Sequence, residues 1–147
     1  MTTPLDDLFV KTRAENRAAL IAYIPAGFPS QAGCHKVIET LAKAGVDAIE
    51  IGYPYSDPVM DGPTIQAAAT QALENGTGVT EVFAALKHAT DQGVAAVVMT
   101  YWNPIEKYGA AKFAQAIADN GGSGINGDAI FERWVALFAR ECLPRSE

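Results

Sequence analysis

The chain is poor in the residues that build metal clusters, disulfide frameworks and nucleic-acid surfaces. Its 147 residues include only two cysteines and two histidines, which indicates neither a disulfide-stapled scaffold nor a cysteine–histidine metal site. Lysine and arginine number 11 against 17 acidic residues, for a net charge of −6. This acidic balance argues against nucleic acid, and against an anionic membrane surface, as the main partner.

Long hydrophobic runs are also missing. No stretch approaches the roughly 20 consecutive apolar residues that span a bilayer. The N-terminus carries Asp6 and Asp7 and has no apolar run of signal-peptide length. Cys34 and Cys142 are expected to be reduced thiols. The sequence therefore predicts a cytoplasmic chain with no membrane partner, and its apolar content of 49% is enough to build a core.

Short apolar runs alternate with helical patterns along the chain, which is typical of a parallel α/β fold. Strands are predicted at residues 20–24, 46–51 and 94–99. The third run has no polar alternation, so it is expected to be covered on both faces. Helices are predicted from Thr3–Pro4 onward and at residues 30–44, 64–75, 80–91 and 110–119.

The pattern changes after residue 120. A fourth strand is due there, but residues 121–127 contain four glycines and one apolar residue, which predicts a turn. Residues 128–142 then have the apolar periodicity of a helix, which Pro144 would end. This segment is either an element that covers the core or a peptide whose amphipathic pattern is accidental.

The most informative segment is residues 49–62, with the sequence IEIGYPYSDPVMDG. Glu50 lies near the end of a predicted strand, and Asp61 follows eleven residues later in a loop rich in proline and glycine. Two carboxylates placed where a loop leaves a strand can act as an acid/base pair. The ordinary alternatives are a structural ion pair for Glu50 and a turn role for Asp61 and Asp57.

Residues 50–66 closely resemble the signature of the tryptophan synthase alpha subunit. Two weaker patches occur in the matching order, IPAGFP at residues 24–29 and MTYWNPI at residues 99–105, while Met60 replaces a residue that is usually small in the family. The resemblance covers about residues 1–124 and implies a (β/α)8 barrel, which needs roughly 250 residues. We therefore predict the N-terminal part of such a barrel, incomplete, followed by a divergent tail at residues 125–147 that is expected to be helical.

The resemblance also implies a reaction. Members of this family cleave indole-3-glycerol phosphate to indole and glyceraldehyde 3-phosphate by a retro-aldol step that needs no cofactor. The pyridoxal phosphate of the family's alpha2beta2 assembly belongs to the beta subunit, which is the implied protein partner. By resemblance, Glu50 is the general acid/base, Asp61 lies beside the indole nitrogen, and Tyr23 and Tyr101 bind the substrate.

Other parts of the family site have no counterpart in this sequence. Barrel enzymes commonly bind phosphate in loops after strands seven and eight, and nothing after Gly124 resembles those loops. Since binding of a remote phosphate helps to position the reacting bond, we expect a very low rate. The alternatives are a non-catalytic fragment that binds the beta subunit, or a decayed gene product. An incomplete sheet has open edges and exposed apolar strand faces, which predicts poor solubility, self-association or a molten state. His35 and His88 are expected at the surface or at helix ends.

Overall fold

Four parallel strands and six helices make up the described part of the chain, which is residues 2–127 of the computed structural model. The strands are β1 Ile21–Pro25, β2 Ala48–Gly52, β3 Ala95–Thr100 and β4 Ile125–Gly127. The helices are α1 Pro4–Ala14, α2 Gln31–Ala44, α3 Pro63–Glu74, α4 Val79–Asp91, α5 Trp102–Tyr108 and α6 Ala110–Asp119. Within these residues, no helix has both the length and the apolar character needed to cross a membrane. The predicted helix at residues 128–142 lies outside the described residues.

The strands form one sheet in chain order, β1-β2-β3-β4, and every neighbouring pair is parallel. Tyr23 of β1 lies opposite Glu50 of β2, and Glu50 lies opposite Val97 of β3. Met99 of β3 lies opposite Asn126 of β4. Because the strands are parallel, the loops that leave their carboxyl ends meet along one edge of the sheet, where functional loops of α/β folds lie.

The main core lies between one face of this sheet and the helices. Ile49 and Ile51 of β2 and Ala96 and Val98 of β3 are fully buried on that face. Buried side chains of the helices pack against them, among them Ile38, Val82, Leu86, Phe113 and Ile117. The alternating positions of the strands supply this face, as the two-residue period of a β-strand requires.

The opposite face of the sheet is only half-buried. Val97 and Met99 are partly exposed, whereas their neighbours on β3 are buried, and Ile21 of β1 is 47% exposed. The prediction that the third strand is covered on both faces is therefore wrong for the part of the chain that the structure describes. The apolar run gave no alternation to detect, because the half-exposed positions are themselves apolar.

Side-chain caps begin the first two helices, close to the predicted starts. The Thr3 hydroxyl accepts a hydrogen bond from the backbone N–H of Asp6 at 3.3 Å, and the Asp6 carboxylate accepts one from the Thr3 N–H at 2.8 Å. The Ser30 hydroxyl caps α2 by accepting from the N–H of Gly33 at 3.0 Å. These contacts satisfy backbone N–H groups that the first turn of a helix leaves without partners.

Two elements were not predicted from the sequence. The structure forms α5 in a segment for which no helix was predicted, with Pro104 in the first turn, where its missing N–H costs nothing. It also forms β4 within the segment predicted as a turn. The backbone N–H of Ser123 donates to the Ala96 carbonyl at 2.8 Å, and that of Val98 donates to the Gly124 carbonyl at 3.1 Å. Pairing with β3 therefore holds the glycine-rich segment in an extended conformation.

The two histidines form a stacked pair between α2 and α4. The ring centroids of His35 and His88 are 4.5 Å apart with an interplanar angle of 14°, and His88 Nε2 lies 3.2 Å from Glu39 Oε1. Both side chains are half-buried. His88 lies in the last turn of α4, as expected, whereas His35 lies inside α2. Burial, and then the neighbouring His88, lowers the pKa of His35.

An ion pair fastens the start of β1 to the start of β2. Arg17 donates from Nη1 to Asp47 Oδ2 at 2.6 Å and from Nη2 to Oδ1 at 2.7 Å, and the backbone N–H of Leu20 donates to Oδ2 at 2.7 Å. The Arg17 contact, followed by that of Leu20, lowers the pKa of Asp47 from 3.8 to about 2. The Arg17–Asp47 ion pair is therefore fully formed only at a pH where Asp47 is ionised.

We expect the Arg17–Asp47 ion pair to make the free energy of unfolding depend on pH. A lowered carboxyl pKa stabilises the fold above the unfolded-state value of 3.8, and this stabilisation is lost as the pH falls toward 2. Urea unfolding of the natural chain and of Asp47→Asn should therefore differ most above pH 4, and the difference should shrink toward pH 2. Asp7→Asn, at an exposed position of α1, is the control. A difference that stays constant over this range would contradict the assignment.

Candidate functional site

The four site residues predicted from the sequence lie together at the carboxyl edge of the sheet. Tyr23 is on β1, Glu50 is its partner on β2, Asp61 is in the loop between β2 and α3, and Tyr101 directly follows β3. Burial raises the pKa of the Tyr23 hydroxyl, and the nearby Asp61, Glu50 and Tyr101 raise it further. Tyr23 is thus within electrostatic reach of the other three side chains.

The position of the Tyr23 side chain depends on Gly52, a glycine of the motif at residues 49–62. A Cβ atom placed at Gly52 would overlap with the Tyr23 hydroxyl and ring. Gly52 is buried at the end of β2 and lies opposite Pro25, two residues beyond Tyr23 on β1. The absence of a side chain at Gly52 therefore lets the Tyr23 ring lie across the end of the neighbouring strand, close to Glu50.

The Tyr101 hydroxyl holds the loop that carries Asp61 through hydrogen bonds. It accepts hydrogen bonds from the backbone N–H groups of Val59 at 3.1 Å and Met60 at 3.0 Å. The same hydroxyl lies 3.4 Å from Asp61 Oδ2, to which it donates. The Tyr101 side chain is only 8% exposed. One phenol therefore fixes three consecutive residues of the loop, including the predicted carboxylate.

A second contact joins the same loop to α5. Asn103 donates from Nδ2 to the Tyr55 hydroxyl at 2.9 Å, and the rings of Tyr55 and Tyr101 have centroids 4.9 Å apart. The sequence placed Tyr55 and Asn103 in motif patches but predicted no role for either. Their pairing could not be predicted, because it depends on α5, which the sequence did not predict.

Asn126 of β4 contacts the first predicted carboxylate. Its Nδ2 donates to Glu50 Oε1 at 2.6 Å. Glu50 is half-buried on the exposed face of the sheet, and Asn126 is exposed. Nothing in the sequence indicated this contact, since residues 121–127 were predicted as a turn.

The loop after β1 is held by hydrogen bonds to residues that follow α3. Asn75 donates from Nδ2 to the backbone carbonyls of Gly27 at 3.2 Å and Pro29 at 2.9 Å. Gln31 donates to the Thr77 hydroxyl at 2.9 Å. Gly27 has a φ of +77°, and a Cβ there would overlap with Thr77, so this turn requires glycine.

The arrangement provides acid/base groups beside aromatic surface. Glu50 and Asp61 are carboxylates that can exchange protons or stabilise positive charge, and Tyr23 and Tyr101 offer flat, partly apolar surfaces with hydroxyl tips. Within residues 2–127, no group of three or more histidine, cysteine, aspartate and glutamate side chains is placed to hold a metal ion. A small aromatic substrate whose reaction needs proton transfer fits this set of groups.

We expect removal of the Tyr101 hydroxyl to loosen the Asp61 loop without disturbing the core. Tyr101→Phe keeps the ring but leaves the N–H groups of Val59 and Met60 without their acceptor, so their hydrogen exchange should be about tenfold faster or more. Tyr108→Phe, at a 38% exposed position of α5, is the control. Unchanged exchange at Val59 and Met60 in Tyr101→Phe would show that the hydroxyl does not hold the loop.

Comparison with known proteins identifies relatives of the chain. The family model described as tryptophan synthase alpha chain matches residues 9–127. The tryptophan synthase alpha chain of Nocardia farcinica is 51% identical over 121 residues, which is 82% of this chain and 46% of the relative. That of Acidothermus cellulolyticus is 47% identical, and the match covers 97% of this chain and 55% of the relative. The latter match thus extends past residue 124, where the predicted resemblance ended.

Solved structures agree with the sequence relatives. Tryptophan synthase from M. tuberculosis, in an open form with BRD0059 bound, superposes with a TM-score of 0.87 at 40% identity and covers 95% of this chain and 57% of that chain. The tryptophan synthase alpha subunit from Legionella pneumophila gives a TM-score of 0.81 at 31% identity. The predicted α/β fold, part of a (β/α)8 barrel, is confirmed. The chain spans about half the length of the relatives that it matches.

Proposed function

Because this chain belongs to the tryptophan synthase alpha chain family, we propose that it cleaves indole-3-glycerol phosphate to indole and glyceraldehyde 3-phosphate. The observation that carries the proposal is the meeting of Glu50 and Asp61 around Tyr23 at the carboxyl edge of the sheet. The two carboxylates come from different elements, a strand and a loop, so each can face a different part of one substrate.

The reaction requires a proton at one atom and loss of a proton at another. Glu50 delivers a proton to the third carbon of the indole ring, which leaves positive charge on the ring nitrogen. The bond from that carbon to the glycerol chain then breaks, and its electron pair returns to the ring. The adjacent glycerol hydroxyl gives its proton to the Glu50 carboxylate as the aldehyde forms, which restores the starting protonation of Glu50. Asp61 stabilises the charge that develops at the indole N–H.

The two tyrosines are assigned to binding. Tyr23 lies near both carboxylates and offers its ring to the flat indole, while Tyr101 holds the Asp61 loop through its hydroxyl. Aromatic side chains favour offset or edge contacts with another ring. The predicted substrate-binding role of Tyr101 thereby gains a second component, which is to keep Asp61 in place while the indole is bound.

The remaining assignments rest on the family. The chain is proposed to act in the cytoplasm in tryptophan biosynthesis, to need no cofactor of its own, and to pair with a pyridoxal-phosphate-dependent beta subunit. The loop that carries Asp61 offers apolar contact area to such a partner, since Val59 is 84% exposed and Met60 is 49% exposed. A purely binding role is the second candidate, and this exposed part of the loop is the observation that favours it.

The proposal is tested by incubating the purified chain with indole-3-glycerol phosphate, with and without a beta subunit. We expect indole and glyceraldehyde 3-phosphate to appear slowly and in equal amounts. Co-purification with the beta subunit and no indole would favour the binding role instead. Absence of both indole release and association would contradict both candidates.

A further inference from the structure

We propose that Asn126 is a positioning residue for Glu50, an inference that rests on the proposed function. The carboxylate oxygen Glu50 Oε1 accepts a hydrogen bond from Asn126 Nδ2 at 2.6 Å. The two residues are 76 positions apart in the chain. The contact therefore exists only because the sheet brings β2 and β4 to the two sides of β3.

The geometry of the sheet explains why β4 supplies this contact. Strands in a sheet lie about 4.8 Å apart, so a bond from β4 to β2 must cross the width of β3. Asn126 pairs with Met99 of β3, two residues beyond Val97, which is the partner of Glu50. Because side chains two residues apart share one face of a strand, Asn126 and Glu50 extend over the same half-buried face and meet across it.

Backbone pairing fixes the position of Asn126. Ser123 donates its N–H to the Ala96 carbonyl at 2.8 Å, and Gly124 accepts from the N–H of Val98 at 3.1 Å. These bonds place the start of β4 against β3 just before Asn126. The short strand thus has a use beyond extending the sheet, since it aligns an amide donor with one oxygen of the carboxylate.

An amide donor suits a carboxylate that exchanges protons. The amide is uncharged and neither gains nor loses a proton at ordinary pH. It therefore takes no part in the exchange of protons between Glu50 and the substrate. By occupying Oε1 as a donor, Asn126 leaves the proton that Glu50 exchanges on Oε2. The hydrogen bond therefore both limits rotation of the carboxyl group and assigns its two oxygens different roles, one for anchoring and one for proton transfer.

The contact is tested first without reference to activity, by NMR of the side-chain amides of the 15N-labelled chain. We expect the hydrogen-bonded Asn126 amide proton to shift when Glu50→Gln replaces the carboxyl acceptor with an amide. The control within the same spectra is Asn120, whose Nδ2 donates to the Ala116 carbonyl at 2.7 Å and should not respond. An Asn126 signal that is unaffected by Glu50→Gln would overturn the proposed contact.

The second test measures cleavage of indole-3-glycerol phosphate. Asn126→Ala should lower kcat by about ten- to a hundredfold, the effect of losing one hydrogen bond to a charged group, with little change in KM. Asn126→Gln, which restores an amide donor, should recover part of the loss. Asn120→Ala is the matched control, because it removes an amide hydrogen bond at the end of α6 and should leave kcat unchanged.

The outcomes separate the inference from the proposed function. If Glu50→Gln abolishes cleavage but Asn126→Ala leaves kcat unchanged, the function stands and the positioning role is overturned. If equal losses follow Asn126→Ala and Asn120→Ala, the effect is on folding and the positioning role is again overturned. If the chain releases no indole, the proposed function fails, and the NMR comparison alone decides whether Asn126 holds Glu50.

Discussion

Replacing Glu50 with glutamine is expected to lower the rate of indole release by about 10²- to 10⁴-fold, the usual contribution of a general acid/base. Glutamine has nearly the same shape, and its carbonyl oxygen can still accept the hydrogen bond from Asn126. The substitution therefore removes the exchangeable proton and leaves the packing around β2 in place. Substrate binding, measured as KM, should change much less than kcat.

The measurement is a continuous assay of indole formation with purified variants at equal concentration. Glu74→Gln is the matched control, because Glu74 is exposed in the last turn of α3 and lies outside the proposed site. Both variants should have the same far-UV circular dichroism and the same unfolding midpoint. A Glu50→Gln variant that retains the full rate would remove Glu50 from the mechanism.

Replacing Phe113 with alanine is expected to lower the free energy of unfolding by about 3–5 kcal/mol. Phe113 is completely buried on the inner side of α6. Its ring centroid lies 5.2 Å from that of Phe83 and 5.8 Å from that of Tyr108. The truncation would remove the centre of this aromatic cluster and leave a cavity that the packed helices α4 and α6 can fill only partly.

Urea unfolding followed by circular dichroism measures this loss. Phe113→Leu should cost clearly less, because it keeps most of the apolar volume, and Phe9→Ala should also cost less, because Phe9 is 38% exposed on α1. Similar losses for Phe113→Ala and Phe9→Ala would contradict the assignment of Phe113 to the core. This loss is a large fraction of the stability of a typical domain, which is about 5–15 kcal/mol.

Elements with strong local signals were predicted from the sequence. The structure confirms the helix that follows Thr3, the helix capped by Ser30, and the three apolar strands, with boundaries that shift by one or two residues. These signals are local, since a cap or an apolar run is determined by neighbouring residues. Helix α4 begins at Val79, one residue before the predicted start, and the Glu81 carboxylate caps its first turn by accepting a hydrogen bond from the Gly78 N–H.

The elements that were not predicted depend on distant parts of the chain. β4 has only three residues, and it becomes a strand by pairing with β3. The four glycines of residues 121–127 have low strand propensity, so the local sequence favours a turn, and only pairing with β3 makes residues 125–127 a strand. In α5 the Asn103-Pro104 pair is typical of a turn, and the same proline is tolerated in the first turn of a helix.

The candidate site was predicted in part for the same reason. Glu50, Asp61, Tyr23 and Tyr101 could be named because a resemblance to one family covers their motifs. Their supporting contacts could not, since each joins elements that are far apart in the chain. The bond from Asn103 to Tyr55 spans 48 positions, and no periodicity or spacing in the sequence reports such a pairing.

Titration of the 15N- and 13C-labelled chain with indole tests the proposed site most directly. Indole is the product that the described residues are proposed to hold, and it carries no phosphate, so its binding does not depend on a phosphate site. We expect concentration-dependent shifts at Tyr23, Tyr101 and the N–H groups of Val59 and Met60. Shifts confined to the cleft at the opposite edge of the sheet, which is lined by Lys87, Val94 and Asp119, would contradict the assignment of the carboxylate pair to an indole site.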